Sequence, residues 1–134
     1  MGAPLHVFNV HFGTAFVERR HQARRLLSGE ILNSGGLAGP RVAVGDFNEW
    51  TRGLVSRPLG SELRSADIRH HLGRTRTYPG LFPLLHLDHV YYDRTLELER
   101  LELHRDGVAL VASYHLPLVP DFHLAAGGSL AENK

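Results

Sequence analysis

The sequence predicts an α/β (α+β) layered sandwich. Three observations carry that expectation: a strand-helix-strand unit at the start, several strand candidates at short spacing after it, and an ordinary globular composition, 43% hydrophobic and 22% charged. With 134 residues, one hydrophobic core suffices. A domain of this size buries roughly two-thirds of the surface its unfolded chain exposes, provided that both faces of its sheet find cover.

Leu5-His6-Val7-Phe8-Asn9-Val10 is short, β-branched and aromatic, and reads as an interior strand. Thr14 is placed to cap the helix that follows, in which Phe16, Ala23, Leu27 and Ile31 fall near helical spacing. Glu18, Arg19, Arg20, Arg24 and Arg25 cluster elsewhere on that helix, and Asn33-Ser34-Gly35-Gly36 ends it in a loop. Arg41-Val42-Ala43-Val44-Gly45 is the second strand, expected parallel to the first because a helical crossover joins them. Residues 51–71 suggest one or two short helices and loop. Further strand candidates are 75–78, 87–92, 96–103, 108–112 and 118–122. In 96–103 the leucines change parity between Leu98 and Leu101, which predicts a bulge or bend near Arg100. Arg105-Asp106-Gly107 reads as a hairpin turn into the next strand. The domain is expected to occupy residues 1–124, with 125–134 a small, polar, disordered tail.

Charge narrows the function classes. The formal net charge is +1, so no strongly basic field advertises a nucleic-acid partner, and any polyanion contact must be local. Fourteen of the fifteen basic residues are Arg, a bias that GC-rich coding produces as readily as phosphate recognition. The only Lys is Lys134. Absence of cysteine removes disulfides and thiolate metal sites. The start, Met1-Gly2-Ala3-Pro4, carries no signal-peptide pattern, and His6 stands where a myristoylation signal wants Ser or Thr. No window is long and apolar enough to span a bilayer, so the default expectation is a cytoplasmic chain.

Four polar segments each follow or form a predicted strand: Asn9-Val10-His11, Gly45-Asp46-Phe47-Asn48, Leu87-Asp88-His89-Val90 and Ser113-Tyr114-His115-Leu116-Pro117. Strand ends on one sheet edge are where α/β folds collect catalytic groups, so residues far apart in sequence can converge there. Singly, each has a plainer reading: Asp-x-Asn after a strand is commonly a turn, and a lone His is commonly just hydrogen-bonded or exposed. Asp88 is harder to dismiss. A carboxylate inside an apolar run must find a donor nearby.

Taken in order, the four segments resemble the later motifs of the endonuclease/exonuclease/phosphatase superfamily. Gly45-Asp46-Phe47-Asn48 matches its Gly-Asp-Phe/Leu-Asn motif, Asn9-Val10-His11 looks like its Asn-x-His, and Leu87-Asp88-His89-Val90 resembles its Asp-containing strand. Residues 113–122 resemble the closing Ser-Asp-His-x-Pro-Val motif, with Tyr114 where Asp is usual. The resemblance implies the C-terminal half of a four-layer α/β-sandwich, with a mixed sheet and helices on one face.

It also implies a phosphodiester or phosphate-ester hydrolase dependent on Mg²⁺ or Mn²⁺. Asp46 would orient or deprotonate the attacking water and serve as a partial metal ligand. Asn48 would position that water or the phosphate, Asp88 would hold the His115 imidazole, and His115 with His11 would bind the scissile phosphate. Such groups suit the chemistry, which needs an aligned water and donors to charge developing on non-bridging oxygens.

The family's metal-binding Glu belongs to a first half with no counterpart here, Glu30 and Glu49 standing in other contexts. Tyr114 is likewise a poor substitute for a carboxylate as an Mg²⁺ ligand. The chain is therefore expected to be a truncated, inactive or impaired hydrolase that seeks its missing N-terminal half or self-associates. Nucleic acid, lipid and sugar phosphate all stay open as substrates. The alternatives are a non-catalytic relic or partner-binding half-domain, and a phosphate-binding module using Arg19, Arg20, Arg24 and Arg25.

Overall fold

A computed structural model describes residues 4–49, 53–66, 78 and 87–126. Its elements run β1 (His6–His11), α1 (Phe16–Leu26), β2 (Arg41–Asp46), α2 (Ser56–Glu62), β3 (Arg64–Ser65), β4 (Asp88–Tyr92), β5 (Leu96–Leu103), α3 (Gly107–Ala112) and β6 (Leu118–Leu124). Four strands form one sheet in the order β1-β2-β4-β3, while β5 and β6 pair separately. β1 and β2 are parallel, as a helical crossover requires, and β2-β4 and β3-β4 are antiparallel. The α/β class and the mixed sheet are therefore as the sequence predicts.

The two faces of this sheet are covered by different things. On one, Ala43 and Tyr91 pack with Ala23 and Leu26 of α1 and with Val55, Leu59 and Leu63 around α2, so these two helices share a face. On the other, Val42, Val90 and Tyr92 pack against Leu96 and Leu101 of β5, with Leu118 and Phe122 of β6 alongside. That second face is thus not bare, although Leu5 and Val7 stay exposed at the β1 side. Arg41 and Asp93 pin the far end of β2 to β4. The Asp93 carboxylate accepts from Arg41 Nε at 2.9 Å, from Nη2 at 3.0 Å and from the Arg41 backbone N–H at 2.8 Å. The Asp93 hydrogen bond and charge hold the Arg41 guanidinium above its ordinary pKa. Burial would push the Asp93 carboxyl up, but its hydrogen bonds from Arg41 prevail and hold it down.

Several expectations need correcting. β1 is an end strand of the described sheet rather than an interior one. Thr14 does not cap α1: the N-cap is Ala15, without a side-chain bond, while Gln22 reaches back to the Gly13 N–H and Arg19 to the Gly13 and Thr14 carbonyls. α1 stops at Leu26, short of Ile31, where Ser28 turns the chain by bonding the Arg25 carbonyl, and Phe16 lies exposed. Residues 108–112 are not a strand. Asp106 accepts from the Ala109 N–H at 2.7 Å and so caps a short helix, where a hairpin turn was expected. β5 pairs instead with β6, and its register shifts between Leu98 and Arg100, at the predicted bulge. Most of the 75–78 strand candidate and residues 127–134 of the expected tail lie outside the described residues.

Candidate functional site

Register alone brings three of the candidate side chains together. His11 on β1 is paired with Asp46 on β2, and Asp46 with Asp88 on β4, so the three occupy one row across adjacent strands. Paired residues project to the same side of a sheet, hence all three share a face. Asp46 and Asp88 are partly buried, whereas the His11 side chain is 79% exposed.

Two carboxylates side by side repel unless something cationic or proton-donating lies between them. His115, three residues beyond α3, fills that position. Its Nδ1 donates to Asp88 Oδ2 at 2.8 Å, and its Nε2 lies 3.6 Å from Asp46 Oδ2. Because Asp88 accepts, the ring proton sits on Nδ1, and Nε2 faces the carboxylate of Asp46. His11 Nε2 approaches the same Asp46 oxygen at 3.7 Å. Asp88 thus has the donor its place in an apolar run demands.

The other Asp46 oxygen is held by its own turn. Asn48 N–H donates to Asp46 Oδ1 at 2.8 Å, and Asn48 adopts a left-handed backbone with φ 48°, a conformation Asn tolerates better than most residues. The buried Asn48 side chain donates through Nδ2 to the Phe12 carbonyl, which ties the turn to the end of β1. Its amide is therefore engaged with backbone rather than turned wholly toward a ligand. Gly45, just before, has φ 132°, and a Cβ there would meet the Val10 carbonyl oxygen at 2.0 Å. Glycine is what allows β1 and β2 to approach where His11 and Asp46 meet.

Sequence reasoning assigned no role to several neighbours of the row. Tyr78 lays its ring against His115, with centroids 4.8 Å apart. Glu49 is buried and accepts from the N–H groups of Val55 at 3.0 Å and Ser56 at 2.8 Å, at the start of α2. His89 bonds through Nε2 to the Glu49 carbonyl at 2.8 Å, and burial pushes its pKa below the ordinary imidazole value. A His inside a predicted strand could have flagged His89, whereas the burial of Glu49 is a property of the fold that the sequence does not mark. Tyr114 is 80% exposed at the rim, and Arg20, Arg24 and Arg25 are exposed on α1.

Among the described residues, no group of three or more His, Asp or Glu side chains is arranged to hold a metal ion. Mg²⁺ wants a near-octahedral set of oxygens, and Asp46 alone does not make one. The described residues therefore do not fit as a complete Mg²⁺ site.

An α/β sandwich that gathers two carboxylates and two imidazoles at the strand ends of one sheet face defines the class of domain. The chain belongs to the Endonuclease/Exonuclease/phosphatase family, whose model matches residues 3–115. It is 36% identical over 92 residues to the uncharacterized protein YbhP of Escherichia coli, a match covering 67% of this chain and 35% of that protein. Its fold is similar to that of the mannosyl-6-phosphatase of Bacteroides thetaiotaomicron, with TM-score 0.69 and 17% identity over 88% of this chain and 51% of that one. The catalytic domain of human Nocturnin, solved with bound sulfate, is similar with TM-score 0.62 and 24% identity over 88% of this chain and 45% of that one. The chain spans about a third of the length of the curated relatives it matches and about half of the solved chains.

Proposed function

We propose that this chain carries the phosphate-binding and water-orienting half of a phosphoric ester hydrolase site. One observation carries the reading: His115 stands between Asp88, at 2.8 Å, and Asp46, at 3.6 Å, with His11 reaching the same Asp46 oxygen. A phosphoryl group beside this row would meet two imidazole Nε2 atoms. As imidazolium, each donates to a non-bridging oxygen; as a neutral ring, His115 Nε2 accepts a proton from a water that Asp46 Oδ2 holds in line. Asp88 fixes the His115 tautomer, and the Asn48 N–H fixes Asp46. The family's divalent-metal chemistry would need donors beyond Asp46.

In this reading the chain alone hydrolyses phosphoric esters negligibly and works joined to a Glu-bearing first half. The substrate is a phosphodiester or phosphomonoester. The sugar phosphatase among its structural relatives favours a small phosphate ester over a long polyanion, as does the net charge of +1. A second reading, a non-catalytic half-domain that binds a partner, is favoured by Tyr114 in place of a carboxylate and by the exposed Leu5 and Val7.

Two measurements test the first reading. Titration of the chain with inorganic phosphate, followed by NMR at the imidazoles of His11 and His115, should shift both rings, and an absence of shifts refutes the phosphate-binding role. Bis-p-nitrophenyl phosphate and p-nitrophenyl phosphate, with Mg²⁺ or Mn²⁺, should give no turnover above background. Turnover abolished by Asp46→Ala would show that the chain is a complete enzyme.

A further inference from the structure

We infer that His89 is a positioning residue: it clamps the Asp46–Asn48 turn from the sheet face opposite the catalytic row. The inference rests on the proposed role of Asp46 and extends it to a side chain that touches no phosphate. His89 alternates with Asp88 along β4 and pairs with Gly45, so it projects away from the row, opposite a residue with no side chain.

Its ring contacts two points of the turn. Nε2 bonds to the Glu49 carbonyl at 2.8 Å, and because a carbonyl only accepts, Nε2 carries the proton. The ring also meets Phe47 edge-on, with centroids 5.7 Å apart at 89°, and stacks on Tyr91 at 6.1 Å. Phe47 is fully buried between Asp46 and Asn48, and its N–H donates to the Leu87 carbonyl at 3.0 Å. Glu49 is anchored on its other side, where its carboxylate accepts from the first N–H groups of α2. The turn therefore hangs between β4 and α2, with its left-handed Asn48 in the middle. Without the His89 donor, the part-buried Glu49 carbonyl loses this bond and the grip on the carboxyl end of the turn weakens. The bond that senses this is Asn48 N–H to Asp46 Oδ1, which sets the direction of Asp46.

Amide hydrogen exchange on the whole chain tests the clamp with no substrate. His89→Phe keeps a ring against Phe47 and removes the donor; His89→Gln gives up the ring and keeps an N–H at similar reach. In His89→Phe, Asn48 should lose roughly tenfold or more of its protection relative to Ala43 in the middle of β2, and His89→Gln should restore most of it. If Asn48 and Ala43 lose protection equally, or His89→Gln behaves like His89→Phe, the residue is structural and the inference fails. Phosphate titration of the unmodified chain reads the proposed function separately, so its failure would be told apart from failure of the clamp.

Discussion

Replacing Gly45 by Ala tests how the site is assembled. A Cβ at this position would lie 2.0 Å from the Val10 carbonyl oxygen and 3.0 Å from the Val10 carbonyl carbon, both backbone atoms of the paired strand. Neither can swing aside as a flexible side chain would. With φ at 132°, the residue also occupies a backbone region that L side chains rarely adopt. Strain of that kind costs about 1–3 kcal/mol, and forcing an extra methyl into a closed space about 1–3 kcal/mol more. The expected loss is therefore roughly 2–6 kcal/mol out of a total stability on the order of 5–15 kcal/mol. At about 2.1 cal/mol/K of unfolding entropy per residue, each kcal/mol over this length lowers the melting midpoint by roughly 3–4 °C. Urea unfolding read by circular dichroism measures the loss directly, with an unchanged slope showing that two-state behaviour survives. Gly36→Ala is the control: it meets nothing within 4 Å and has no positive φ, so it should be neutral or stabilise by about 0.4–1 kcal/mol. A Gly45→Ala loss under about 1 kcal/mol, or one no larger than the control's, would refute close approach of β1 and β2 as the reason for glycine.

Three further outcomes are expected. Asp93→Asn keeps the shape but removes the charge that Arg41 grips through three nitrogens, and should cost about 1.5–3 kcal/mol in the same urea assay. Stability should fall on acidification in two windows. The first opens below pH 6.5, where unfolded His89 takes up a proton that the folded chain refuses; the second opens below about pH 3.8, as Asp93 is protonated through its depressed folded value. His89→Gln should remove the first window alone, as urea midpoints at pH 7 and pH 5.5 would reveal. On the proposed function, Tyr114→Asp in a chain joined to a Glu-bearing first half should raise magnesium-dependent turnover, by less than a contact in a water-excluded site would give because the position is 80% exposed; a Tyr114→Phe loss with no Tyr114→Asp gain would instead mark the phenol as a phosphate donor.

The parts of the fold legible in the sequence are those where local chemistry and tertiary role agree. Residues 42–44 and 90–92 are apolar or aromatic because they lie between two covered faces, and their pattern shows it. The parity change in β5 survives as a bulge because Leu96, Leu98 and Leu101 must all still face the core. Around Asp106-Gly107 the same two residues suit a hairpin turn and a helix N-cap. Which one forms depends on where β6 finds its partner, and that is not a local property. α1 is shorter than its spacing suggests because Ser28 offers the Arg25 carbonyl a competing bond.

The site divides along the same line. Asp46, Asp88, His11 and His115 stand out in the sequence because their four segments come in the order of the family's motifs and because Asp88 sits in an apolar run; singly, each would pass for a turn residue or an ordinary histidine. Their convergence is not legible from periodicity, because it depends on the register that sets His11, Asp46 and Asp88 in one row. The same register turns His89 to the opposite face and toward Gly45, where the lack of a side chain and an unusual φ are one requirement met by one residue. A sequence shows that Gly45 precedes Asp46; it does not show that His89 stands opposite, or that Glu49 presents its carbonyl there. Positioning residues are hidden from sequence for a physical reason. Their contribution lies in what they hold still, and the held atoms belong to other strands.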